Sequence, residues 1–149
     1  GRVDAATAFW NAEGVALEEL GVETREFRVD DFGAPSYPEL VLVTRAGDLE
    51  RNRDLLADAL AALAEGTATA ASDPDLALER MRAELPELDA DTLAAQMAAL
   101  DEADAFSPPV RLDPTVLAAW ARWDAENGIV ERRPSVAASF DVELAAEGE

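Results

Sequence analysis

Followed along the chain, the apolar and polar positions change rhythm after the first third. Residues 3–8 form a short apolar run with the length of a buried strand. Asn11 is suited to cap a helix over roughly 12–20, with Glu13 in its first turn and Gly21 just beyond its end. Residues 23–29 read as a second strand, followed by a stretch over 30–38 dense in Asp, Gly, Ser and Pro. A third strand is predicted over 39–44, and its centre, Leu40-Val41-Leu42-Val43, is apolar on both faces. A run of that kind belongs in the middle of an α/β sheet covered by helices above and below.

From there on the spacing is helical. Asn52 or its neighbours open a long helix to about residue 71, with Leu56, Leu60 and Leu63 on one face. Asp73-Pro74 pairs a capping carboxylate with proline in the first turn, and that helix runs to about 84 before Pro86. Asp89 or Asp91 opens the next, which carries Leu93, Met97 and Leu100. Asp113-Pro114 repeats the capping device for a helix ending at Asn127-Gly128, whose stripe of Val116, Trp120 and Trp123 requires a covering surface. Residues 129–140 read as a loop containing Pro134, and 145–149 as a fraying end. Two or three strands do not make a self-sufficient sheet for this many helices. The remaining strands are expected in sequence outside this chain or in a partner.

A chain of 149 residues and 15.9 kDa has room for one domain, or for half of a bilobal protein. With 49% hydrophobic and 30% charged residues it has globular composition. Thirty-two acidic against 12 basic residues give a net charge of -20, which repels phosphate backbones and anionic lipid, so nucleic-acid and membrane-surface partners are set aside. Neither Cys nor His occurs, which removes disulfides, thiol nucleophiles, thiolate metal sites, zinc catalysis and every Ser-His or Cys-His arrangement within the chain. Carboxylates, Tyr37, hydroxyls and Arg are what remains for chemistry. The composition argues against an enzyme, and no cofactor or metal is expected. There is no run of about 18 apolar residues. The opening Gly1-Arg2-Val3-Asp4 has no signal-peptide character and no Met, which reads as a processed or excised piece.

Two segments carry candidate chemistry. Phe9-Trp10-Asn11-Ala12-Glu13-Gly14 falls at a predicted strand-to-helix junction, where open α/β sheets bind ligands. An aromatic wall, an amide and a carboxylate within five residues suit a flat heterocycle bearing amino groups: Trp10 stacks, Asn11 pairs with the ring edge, and Glu13 accepts from an exocyclic amine. The plainer alternative is that Trp10 is core, Asn11 only a cap and Glu13 only a complement to the helix dipole. In Phe32-Gly33-Ala34-Pro35-Ser36-Tyr37-Pro38-Glu39-Leu40, glycine and two prolines before a buried strand read either as a crossover between lobes with Tyr37 facing a cleft, or as a tight surface turn. Trp120 and Trp123 read as packing. The acidic groups at Asp101, Glu102 and Asp104 and at Glu84, Glu87, Asp89 and Asp91 lack the spacing of a calcium loop and read as solvated faces.

The order of these segments resembles a known family. Trp10-Asn11-Ala12-Glu13-Gly14-Val15-Ala16-Leu17-Glu18, then Phe27-Arg28-Val29-Asp30, then Gly33-Ala34-Pro35-Ser36-Tyr37-Pro38-Glu39-Leu40-Val41-Leu42-Val43 are similar to the substrate-binding proteins of ABC importers that carry thiamine-pyrimidine precursors. The wider group also holds nitrate, sulfonate and taurine binders. The later part is similar through Asn52, Ala61, Gly66, Asp73-Pro74 and Trp123 followed by Glu126-Asn127-Gly128-Ile129. The resemblance implies an α/β, type II periplasmic-binding-protein-like fold of which this is the helix-rich C-terminal half. Residues 1–34 would end the second lobe, 35–44 would form the hinge crossover strand, and 45–149 would supply helices to the first lobe. It implies an aminopyrimidine ligand contacted by Trp10, Asn11 and Glu13, with Tyr37 and Glu39 at the hinge facing the cleft. Implied partners are the transporter permease and the N-terminal half of the same protein, in an extracytoplasmic setting. Related proteins on this fold synthesise a pyrimidine phosphate using His and Cys that this segment does not have. An anion binder would call for Arg or helix N-termini in the cleft; Arg2 and Arg28 are the basic residues near the first segment, and neither adjoins it. A standalone interaction domain is the reading that owes nothing to the resemblance.

Overall fold

The computed structural model describes residues 3–37, 40–106 and 110–144. It is helix-rich, 60% helical, with no strand among the described residues. Among the described residues seven α-helices follow in chain order: α1 (Val15–Glu19), α2 (Ala46–Arg51), α3 (Arg53–Ser72), α4 (Pro74–Glu84), α5 (Ala90–Glu102), α6 (Pro114–Glu126) and α7 (Val136–Ser139). A π-turn at Trp10–Gly14 leads into α1, and a single 3-10 turn occupies Val29–Phe32. The chain divides into two units, Gly1–Glu26 with Gly66–Pro109, and Phe27–Glu65 with Val110–Glu149, so that α3 contributes to both.

The starts of α4, α5 and α6 are set by aspartates that satisfy otherwise orphaned backbone N–H groups. Asp73 accepts from the Leu76 N–H at 3.1 Å, with Pro74 in the first turn. Asp89 accepts from Asp91 and Thr92, and Asp113 from Thr115 and Val116. The ends of α1, α5 and α6 close in left-handed caps. Gly21 (φ +68°) and Gly128 (φ +71°) let the following residue donate back to the last turn, Val22 to the Leu17 carbonyl and Ile129 to that of Asp124. α5 ends the same way on Asp104, at φ +53°, with Ala105 donating to the Leu100 carbonyl.

In the first unit, the π-turn and α1 pack on α5, and α4 packs beside them. Ala77, Leu93 and Met97 are buried there. The Thr92 hydroxyl donates to Glu19 at 2.8 Å, and Arg82 donates to the Ala90 carbonyl at 3.1 Å, tying α1 and α4 to the start of α5. In the second unit α7 packs on α6, and Leu117, Ala121 and Leu144 are buried. The predicted stripe of α6 is thus displaced by one residue. Val116, Trp120 and Trp123 are half-buried along the edge of the Leu117–Ala121 line. An ion pair 88 residues apart in sequence, Arg53 to Asp141 at 2.7 Å, joins the start of α3 to the segment after α7.

The structure departs from the sequence expectation in several places. The three predicted strands do not form: 3–8 and 23–29 are exposed and unladdered, and Leu40 and Val43 are 85% and 81% exposed. A strand exists only when its N–H and C=O groups find a neighbouring strand, and these runs do not pair with one another. The α/β class is therefore not realised within the described residues. Asn11 does not cap the first helix; it sits inside a π-turn that begins one residue earlier, after Phe9. Residues 46–51 are helical, and Asn52 closes that helix, its side-chain amide donating to the Asp48 carbonyl at 3.0 Å, before α3 begins. Leu63 of α3 is exposed, while Leu56 and Leu60 are half-buried. The predicted loop over 129–140 contains α7, capped by Ser135. The fraying expected at 145–149 lies outside the described residues.

Candidate ligand-binding turn

The first candidate segment is built by one carbonyl doing two jobs. The Phe9 carbonyl accepts from the Ala12 N–H at 3.1 Å and from the Gly14 N–H at 3.2 Å, the latter an i to i+5 bond that widens the turn. Single π-turns are rare and recur at functional sites. The turn is closed from the other side by Glu13, whose carboxylate accepts the Phe9 N–H at 2.8 Å. Asn11 is half-buried, and Trp10 is 39% exposed, so its ring is not a core side chain. Trp10, Asn11 and Glu13 therefore share one turn.

A fourth group, not singled out from the sequence, joins them. A Cβ built on Gly14 would lie 3.0 Å from Glu26 Oε1, so the Glu26 carboxylate rests against the turn. The one sequence signal was a glycine in a helical stretch, where it is poorer than alanine by about 1 kcal/mol without a reason of its own.

Tyr37 belongs to the second unit and makes a different contact. Its ring stacks on Trp120 with centroids 4.5 Å apart at 26°, and Trp120 stacks in turn on Trp123 at 5.1 Å and 17°. Tyr37 remains 42% exposed at the end of this three-ring stack. The packing expected of the two tryptophans thus includes a residue from the proline-rich segment. Glu39, the remaining candidate, lies outside the described residues.

The carboxylates whose acidity is displaced are structural. The hydrogen bond from Arg28 holds Asp30 below its usual range, and the same pairing raises Arg28. Backbone N–H donation, chiefly from Thr92, lowers Asp89, and Arg53 lowers Asp141. Shallow hollows lie around Glu50–Leu55, about 290 Å³, and around Val130–Ser139, about 720 Å³; neither is lined by Trp10, Asn11, Glu13 or Tyr37. Among the described residues no group of three acidic, His or Cys side chains could hold a metal ion, and no helix is long and apolar enough to cross a membrane. A partly exposed indole, an amide and two carboxylates on one turn can stack a flat ring and accept hydrogen bonds from its edge.

A family model described as NMT1/THI5 like matches residues 1–77, the part that contains the turn, Glu26 and Tyr37. The family is periplasmic-binding-protein-like, made up mostly of substrate-binding proteins and typically extracytoplasmic, although its THI5 member takes part in pyrimidine synthesis. A small-molecule ligand follows from that membership. No curated protein and no solved structure matches the chain.

Proposed function

We propose, from the premise that the chain belongs to the NMT1/THI5-like family, that it forms the C-terminal half of a two-lobed solute-binding protein serving an ABC importer. The ligand in this reading is a small aromatic heterocycle, a thiamine-related aminopyrimidine. Trp10 stacks on the ring, and Asn11 and Glu13 hydrogen-bond its edge. Tyr37, steadied by Trp120, and Glu39 face the cleft from the hinge. The observation that carries the reading is the π-turn. It groups an exposed indole, an amide and a carboxylate within five residues, in a kind of turn that is rare and recurs at functional sites.

Residues 1–34 end one lobe of an α/β fold, 35–44 cross between the lobes, and the later helices pack on the other lobe. The exposed apolar run Leu40–Val43 supports this, because it has the composition of a buried parallel strand whose neighbours come from the rest of the protein. Binding works by closure. Each lobe supplies part of the pocket, so ligand favours the closed state through contacts the open state lacks, and the permease recognises that state. No bond is made or broken, in keeping with a chain that has neither thiol nor imidazole.

The test is Trp10→Ala in the full-length protein. Loss of a stacking platform weakens an aminopyrimidine by about 1 kcal/mol or more, roughly fivefold or greater, with an unchanged melting temperature. Unchanged affinity removes the turn from the site, and a collapse in melting temperature assigns Trp10 to stability instead.

A further inference from the structure

We infer that Glu26 is a second specificity-determining carboxylate of the Trp10 turn, beside Glu13, selecting an amino-substituted ring over an oxo-substituted one. The inference rests on the turn being the ligand site. Gly14 has φ −60° and ψ −53°, values any residue adopts and most helix formers prefer to glycine. Its backbone therefore does not call for glycine. Among the described glycines, Gly21, Gly33 and Gly128 have positive φ, and Gly47 and Gly66 face open space. Gly14 differs from all of them. A Cβ there would meet the Phe9 carbonyl at 3.8 Å and the Trp10 Cβ at 3.9 Å, both ordinary contacts, but Glu26 Oε1 at 3.0 Å, where the neighbour must yield. The Glu26 carboxylate thus lies close over the Gly14 backbone, and a methyl group there would shift its tip by a few tenths of an ångström.

The two glutamates at the turn differ in what they already hold. Glu13 spends one oxygen on the Phe9 N–H, 2.8 Å away, and so shapes the turn while its other oxygen serves the ring edge. Glu26 arrives from a distant point in the sequence and is exposed. An ionised carboxylate only accepts hydrogen bonds. It matches the exocyclic amino group of an aminopyrimidine and opposes the carbonyl oxygen that an oxopyrimidine puts at the same position.

The experiment is an equilibrium titration of the full-length protein and its Glu26→Gln, Glu13→Gln and Gly14→Ala variants. The probes are 4-amino-5-hydroxymethyl-2-methylpyrimidine and its 4-oxo analogue, with a thermal melt of each variant. Glu26→Gln is expected to weaken the amino compound at least about tenfold, from the loss of a charge-assisted bond, and to change the oxo compound much less, with the melt unmoved. Gly14→Ala is expected to melt no lower than the parent, since alanine suits the helix better, and to bind the amino compound only slightly more weakly, the Glu26 tip moving by a few tenths of an ångström. Glu13→Gln is expected to weaken the amino compound as well, but to lower the melt with it, since the Phe9 N–H loses its charged acceptor. If the parent binds the aminopyrimidine and Glu26→Gln binds it equally well, the inference fails and the ligand turn stands. If Glu26→Gln weakens both compounds alike and melts lower, Glu26 is structural and the inference fails. A parent that binds neither compound overturns the ligand turn and the inference together.

Discussion

Trp120 is the middle ring of the Tyr37–Trp120–Trp123 stack, so Trp120→Ala removes both ring contacts at once. Each stacked aromatic pair contributes about 0.5–1.5 kcal/mol beyond the apolar area it covers. Two pairs give about 1–3 kcal/mol. The indole is only half-buried, so the area term falls short of the 3–5 kcal/mol typical of a fully buried tryptophan truncated to alanine. Together these place the loss at about 2–4 kcal/mol. Trp120→Phe keeps an aromatic face between the other two rings and should cost less than half of that. Urea denaturation followed by far-UV circular dichroism measures the loss. The near-UV spectrum reports whether the Tyr37 and Trp123 rings lose their asymmetric environment. A Trp120→Ala loss below about 0.5 kcal/mol, with the near-UV signal intact, would refute the claim that α6 holds Tyr37 in place.

Asp104→Gly should stabilise the chain. A non-glycine residue at φ +53° pays about 1–2 kcal/mol, and glycine returns part of the gain as unfolded-state entropy, leaving about 0.5–1 kcal/mol in the urea midpoint. The Arg53–Asp141 pair predicts an acid dependence. Asp141 has a lowered folded-state pKa, chiefly because Arg53 donates to it, so its stabilisation is fully present above its ordinary unfolded value and is lost as pH falls through the lower folded value. Urea midpoints taken between about pH 6 and pH 2 should therefore fall less steeply in Asp141→Asn than in the parent, and parallel curves would show that the pair contributes nothing.

What could be read from the sequence is what short-range chemistry decides. Asp73-Pro74, Asp89 and Asp113-Pro114 each start a helix where a capping side chain meets its own backbone N–H groups, and Gly128 ends one. Leu93 and Met97, spaced by four, are buried together. Segments whose conformation depends on distant partners were not legible in the same way. Leu40-Val41-Leu42-Val43 has the composition of a buried strand, but pairing comes from another strand, and 3–8 and 23–29 do not provide it. α2 was hidden by Gly47 in its first turn and by its brevity. At the candidate site, Trp10, Asn11 and Glu13 were recognisable as a group because they share five residues. Their π geometry was not, since it turns on whether the Gly14 N–H reaches the Phe9 carbonyl rather than that of Trp10. Glu26 and the Tyr37–Trp120 contact were invisible for the same reason as the Arg53–Asp141 pair: each joins groups far apart in sequence with no periodic signal.

The central claim is that this family member binds an aminopyrimidine through the Trp10 turn. Its most direct test is a calorimetric titration of the full-length protein with hydroxymethyl- and formylaminomethyl-aminopyrimidines, set against taurine and nitrate. Saturable binding of a pyrimidine at micromolar or lower concentration, with no heat from either anion, is the predicted result. Binding of the anions with silence toward both pyrimidines would contradict it.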